Sequence, residues 1–317
     1  MRVLLTLLLL MPLAAAAQPA GPIRMIVPFA PGGASDSTAR IVVPGLAAAL
    51  RRVIVIENRP GAGGLLGAEA IARAAPDGST LGISNTSPHG IVPLAQEPPP
   101  YDADRDFTHV ALVAETPTVL LVPAASRFHD FPTYLRAAES WRQGLSFAST
   151  GVGSLQHLQG ELLARLTGAR LTHVPYRGTG PALQDLVAGQ VDSLLTPLAG
   201  TIGAIAGGQA RALAMSSAEP FAALPGVPTY AALGYPQLTA TSWTGISGPR
   251  GLPPALVARL NAEVNRLVAE PEVVQRLAAA GLYPPARPLD AAGYRRIVAD
   301  FAAAWGPVVK AAGIKPE

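Results

Sequence analysis

The sequence predicts a two-lobed α/β fold with a cleft between the lobes, and three observations predict it. Short β-branched runs alternate with Ala/Leu-rich stretches of helical length, the pattern of βαβ units and a largely parallel sheet. The alternation comes in two series, separated at residues 110–123 by an almost wholly apolar stretch too long for one ordinary strand. The length of 317 residues accommodates two cores at roughly 150 residues per domain.

In chain order, the first series has strands at 25–29, 52–57 and 80–84, with helices at 38–50 and 65–74 between them. The stretch 110–123 reads as two strands, or as one that leaves the first domain and enters the second. The second series runs through helix 131–141, strand 145–149, helix 155–167, strand 171–175, helix 180–188, strand 191–195, helix 200–207 and strand 210–216. Residues 239–247, threonine-rich and containing Trp243, suit a returning strand, after which helices 255–269, 271–280 and 291–311 pack on the first domain. The chain then crosses twice, giving one lobe from 18–122 and 241–317 and a second from 123–240. Two crossings permit a hinge, and a cleft at a domain boundary is where small ligands usually sit.

Composition removes several function classes. The chain is 49% hydrophobic and 14% charged, and its 32 Gly and 32 Pro punctuate apolar runs instead of clustering, which excludes collagen-like, coiled-coil and disordered chains. The net charge of +3 is spread without long runs of one sign, so no nucleic-acid footprint is visible. With no Cys there is neither a disulfide nor a thiolate. Residues 1–17 read as a secretory signal: Arg2, an apolar stretch too short to span a bilayer, and Ala15-Ala16-Ala17 as the cleavage site. The expected product begins at Gln18, outside the cytoplasm.

Two loops carry the candidate chemistry. Phe29, Pro31, Gly32, Gly33 and Asp36 lie where a strand passes through a Gly-Gly turn into a helix, a place where free backbone N–H groups and the helix dipole favour an anion. The competing reading is a tight turn capped by Ser35 or Asp36. Ser149, Thr150, Gly153 and Ser154 repeat the arrangement in the second series with added hydroxyls, so two such nests can face each other across a cleft. Here Ser154 also fits a simple N-cap, and His157 a structural histidine. The segment Asn58-Arg59-Pro60-Gly61-Ala62-Gly63-Gly64 invites a dinucleotide reading, but its glycine spacing is wrong and no acidic residue follows about 20 positions on. Gly151-Val152-Gly153-Ser154-Leu155 is not a nucleophile elbow, and the five histidines show no metal-binding spacing. Nothing demands catalysis.

These residues resemble a known family. Val27-Pro28-Phe29-Ala30-Pro31-Gly32-Gly33, Glu57-Asn58-Arg59-Pro60-Gly61-Ala62-Gly63-Gly64, His157-Leu158, Gly160-Glu161-Leu162, His173-Val174-Pro175-Tyr176-Arg177-Gly178, Gly189-Gln190-Val191-Asp192 and Leu224-Pro225-Gly226-Val227-Pro228-Thr229 follow, in order, the extracytoplasmic solute receptors of tripartite tricarboxylate transporters, the Bug family. The resemblance implies a type II periplasmic-binding-protein fold of the Venus-flytrap kind, a periplasmic monomer without cofactor, and membrane carrier subunits as partners. It also implies a carboxylate held between the two loops, with His157 behind the second. Ser84, Asn85 and Thr86, with the loop through Ser87 and His89, would then line the distal pocket. In one place the chain departs from many relatives: Thr196 stands where they carry an acid that can pair with a ligand ammonium. A buried ammonium without a counter-charge is costly, so the expected ligand is a di- or tricarboxylate or an aromatic carboxylate, not an acidic amino acid. A periplasmic sensor presenting its ligand to a signalling partner is the alternative, and the residues do not separate the two.

Overall fold

The computed structural model describes residues 21–313 apart from 97 and 222; the signal expected at 1–17 lies outside the described residues. The first series forms β1 (Ile23–Val27), α1 (Ala34–Leu50), β2 (Ile54–Asn58), α2 (Leu65–Ala72) and β3 (Thr80–Asn85). A single long strand, β4 (Phe107–Pro123), follows. The second series is α3 (Phe131–Ser140), β5 (Leu145–Ser149), α4 (Leu155–Thr167), β6 (Leu171–Pro175), α5 (Thr179–Val187), β7 (Ser193–Pro197), α6 (Ile202–Ala206) and β8 (Ala210–Met215). The chain closes with β9 (Thr241–Pro249), α7 (Pro254–Val268), α8 (Pro271–Ala279) and α9 (Ala291–Ala312).

The apolar stretch is therefore one strand, and it serves two half-sheets. β4 pairs antiparallel with β9 up to Pro117↔Thr241, then with β7 from Thr118↔Pro197 and with β8 from Val119↔Met215. One half-sheet is ordered β2-β1-β3-β9-β4, the other β8-β4-β7-β5-β6. Within each series the pairs β1/β2, β1/β3, β5/β6 and β5/β7 are parallel, as crossover helices require.

Both faces of the second half-sheet are covered, which explains why its strands read as nearly continuous apolar runs. Leu120 and Val122 of β4 join Leu195 and Tyr134 on one face, and Val119 and Leu121 join Leu194 and Met215 on the other. Around the first half-sheet, Met25 and Val27 pack with Val42 and Leu46 of α1 and with Leu260 and Val264 of α7. α9 reaches further than the first domain. Its N-terminal half packs Tyr294 and Val298 against Leu112 and Trp243, while Trp305 and Val309 pack on Leu155 and Leu158 of α4 in the second series. At about 1.5 Å per residue a helix of this length can touch both halves, and its apolar residues recur at helical spacing along the contact.

Candidate functional site

β1 delivers the chain into the Gly-Gly turn and α1. Gly32 takes φ +89°, and Gly33 precedes the helix with no side chain capping its first turn. The Asp36 carboxylate is turned into the loop instead. It accepts hydrogen bonds from Gly32 N at 3.0 Å, Arg40 Nε at 2.8 Å and Asn58 Nδ2 at 3.0 Å, and Asn58 Nδ2 also donates to Phe29 O at 2.9 Å. Burial would raise this carboxyl, but the bonds from Arg40, Gly32 and Asn58 outweigh burial and hold it below the ordinary aspartate value. Asp36 thus fixes the conformation of the loop that opens α1.

In the second half the loop before α4 is satisfied from within. Ser154 Oγ accepts from His157 N at 3.1 Å as an N-cap, and His157 Nδ1 accepts from Gly153 N at 3.3 Å. Ser149 Oγ accepts from Gly151 N at 3.1 Å and meets His173 Nε2 at 2.6 Å. The helix start that opens toward α1 is that of α5. Gly178 precedes it at φ +130°, again with no side-chain cap, and a Cβ placed on Gly33 would lie 3.7 Å from Thr179 Oγ1. Thr196 sits behind Thr179, with the two hydroxyls 3.0 Å apart.

Between these helix starts lies a cavity of about 20 Å³, room for about one water. Of the residues expected from sequence, Phe29, Gly33, Asn85, Ser87 and Thr150 line it. Pro31, Gly32 and Asp36 belong to the loop that supports it. Ser84 is buried in a network with Tyr294 and Ser247, at 2.8 and 2.7 Å, and Thr86 Oγ1 accepts from Trp243 N at 2.8 Å. Ser149, Gly153 and Ser154 belong to the closed loop ahead of α4, and His157 stands on the first turn of that helix. His89 is buried, its Nδ1 3.4 Å from Asn85 N. The wall also contains Ala34, Ser35, Gln156, Gly178, Thr179, Pro197 and Ser242. A signal for part of this set was present: Gly178-Thr179-Gly180 is a third glycine turn between a strand and a helix.

The lining carries no charged side chain among the described residues. Its polarity comes from the uncapped N–H groups of α1 and α5, both at the positive ends of helix dipoles, and from neutral hydroxyls and amides. Such a set donates to an anion and offers nothing to neutralise a cation. Farther out, a wider chamber of about 650 Å³ shares Phe29 and Thr150 with the inner cavity and is bounded by the 60–66 loop, Gly151, Val152, Tyr176 and Arg177. The two halves meet closely there: a Cβ on Gly63 would lie 2.6 Å from Val152 O, and one on Gly200 2.6 Å from Gly32 O.

Comparison with known proteins supplies context for this geometry. Residues 38–314 match the model of the tripartite tricarboxylate transporter family receptor. The chain is 42% identical over 267 residues to a UPF0065 protein in the tcbD-tcbE intergenic region of a Pseudomonas species, covering 83% of this chain and 79% of the relative. MatC from Rhodopseudomonas palustris with bound malate is 36% identical with a TM-score of 0.86, covering 92% of this chain and 99% of that one. The protein Rpa4515 of the same organism, with adipate, is 30% identical with a TM-score of 0.89, covering 94% and 99%.

Proposed function

The chain belongs to the tripartite tricarboxylate transporter receptor family, and from that premise we propose that it captures a small organic carboxylate in the periplasm and delivers it to the membrane subunits of such a transporter. The observation that carries the reading is the convergence of two uncapped helix N-termini, α1 and α5, on a pocket without a charged side chain. A carboxylate placed there accepts from the first-turn amides of both helices and from the hydroxyls of Ser35 and Thr179. Each charge-assisted bond contributes about 1.5–3 kcal/mol.

The absence of a wall carboxylate among the described residues argues against ligands that bring an ammonium group. Malate and adipate, held by the two Rhodopseudomonas proteins, have the chemistry the pocket favours: anionic ends and no amine. The small inner volume suits one carboxylate oxygen, with the remainder of the ligand directed past Phe29 and Thr150 into the outer chamber. In this reading the two half-sheets move as lobes about the strand crossings near 117–118 and 240–241, so that 118–122 go with the second lobe and not, as expected from sequence, with the first, and residues 1–17 direct export. A ligand that touches both lobes only when they close shifts the open–closed balance by that difference in affinity.

Titration calorimetry with malate, adipate and aspartate tests this. Binding of malate or adipate, with aspartate at least about tenfold weaker, is expected, a difference of about 1.4 kcal/mol. Tighter binding of aspartate would overturn the ligand class, and silence from all three and from a panel of tricarboxylates and aromatic carboxylates would overturn the carboxylate reading.

A further inference from the structure

Gln156, on the first turn of α4, is 2% exposed and uses its whole amide. Nε2 donates to Thr118 Oγ1 at 3.0 Å and to Ser242 Oγ at 3.2 Å, and Oε1 accepts from Thr150 Oγ1 at 3.1 Å. The three partners have different addresses. Thr150 is on the pocket wall. Thr118 is the residue at which β4 exchanges its β9 partner for β7, and Ser242 is the second residue of β9, paired with Thr116 just before that exchange. A single side chain rooted in the second half of the molecule, itself on the pocket wall, therefore ties both strand crossings to two wall hydroxyls, those of Thr150 and Ser242.

We infer that Gln156 is a positioning residue that couples Thr150 to the two crossings, so that the placement of the pocket hydroxyl and the angle between the half-sheets are set together. The physical reason is saturation. A primary amide has two N–H donors, and here both are spent on the crossings, so rotation about them strains or breaks bonds that also orient the amide oxygen toward Thr150. With all four groups buried, an unmade bond leaves a donor without water to replace its partner, which makes the alternatives discrete instead of graded. The one Thr150 hydroxyl proton is given to Gln156 Oε1, so an anion that draws it into the pocket takes it from the amide, and binding at Thr150 and the crossing geometry bear on each other. The inference rests on the receptor reading for the identity of the ligand, and its structural part stands apart from it.

Thr118 allows a clean test because it touches Gln156 without lining the pocket. Thr118→Val keeps the shape and removes the acceptor; Thr118→Ser restores the hydroxyl. The natural chain has no Cys, so spin labels at Val53→Cys and Leu166→Cys, positions 68% and 40% exposed in the two halves, report the distance between them by pulsed electron paramagnetic resonance. In ligand-free protein the Thr118→Val background is expected to broaden the distance distribution or add a second distance, with the Thr118→Ser background matching the parent. Malate or adipate affinity is expected to fall about five- to tenfold in Thr118→Val only. An unchanged distribution in Thr118→Val, or equal broadening in both variants, overturns the coupling. If Thr118→Val fails to fold by circular dichroism, Gln156→Met, which deletes all three bonds at similar volume, is compared with the parent by the ligand-free distances alone, because Gln156 also lines the pocket; an unchanged distribution there overturns the coupling. Failure of malate and adipate to bind the parent protein would count against the ligand reading, while the ligand-free distances still decide the role of Gln156.

Discussion

The imidazoles of His157 and His173 stack with centroids 3.7 Å apart and planes within 11°. Through Gly153 and Ser149 the pair clamps both ends of the loop that precedes α4. Burial, and then the neighbouring His157, push His173 down to about 3 from its ordinary 6.5. Between those values the unfolded chain binds the proton and the folded chain does not, so stability present above about pH 6.5 is lost as pH falls toward 3. The melting temperature is expected to drop across that window, and His173→Phe, which keeps a ring in the stack, to flatten the slope. Equal slopes in the two proteins would exclude His173 as the source.

Gly63 adopts φ +63° where the halves meet. A methyl there would lie 2.6 Å from Val152 O, a backbone atom that cannot swing aside. The left-handed conformation costs an alanine about 1–2 kcal/mol in either state, but the clash arises only when the halves meet. Gly63→Ala is expected to weaken carboxylate binding at least about tenfold while ligand-free melting falls by only a few degrees. Unchanged affinity by calorimetry would show that this seam is not part of closure.

Asp36 ties together Gly32, Arg40 and Asn58. Asp36→Asn is expected to cost about 1–3 kcal/mol, seen as a lower denaturant midpoint. Because the folded carboxyl is held below its unfolded value, its contribution is present above about pH 4 and disappears as the pH drops through the folded value. The parent should therefore lose a component of stability below about pH 4 that Asp36→Asn lacks.

Ser154→Ala removes the cap of α4. The expected loss is about 1 kcal/mol, a fall of roughly 2–4 °C in melting temperature. A large loss of carboxylate affinity with unchanged melting would instead assign the hydroxyl to the ligand.

The α/β alternation was legible because it rests on local periodicity. The strand-to-helix turn before α1 was legible too, since a Gly-Gly pair between apolar runs marks such a turn. The hydroxyls of Ser149 and Ser154 pointed to ligand binding by their chemistry, yet they bond within their own loop and to His173, which β6 brings alongside. Gln156 gave no signal at all. Its partners Thr118 and Ser242 lie 38 and 86 positions away, and only the strand crossing brings them to one point.

The insertion of β9 between β3 and β4 also orders the birth of the fold. Every strand of the half-sheet β8-β4-β7-β5-β6 has emerged by residue 215, so this half can assemble on a chain that is still being delivered. The other half-sheet holds the first residues to appear, β1 to β3, yet lacks the strand that joins β3 to β4 until residue 249 and the covering of α7 until residue 268. The earliest part of the polypeptide is thus the last to be completed, and the β3 edge that β9 will cover stays open until then, when it is exposed to wrong partners.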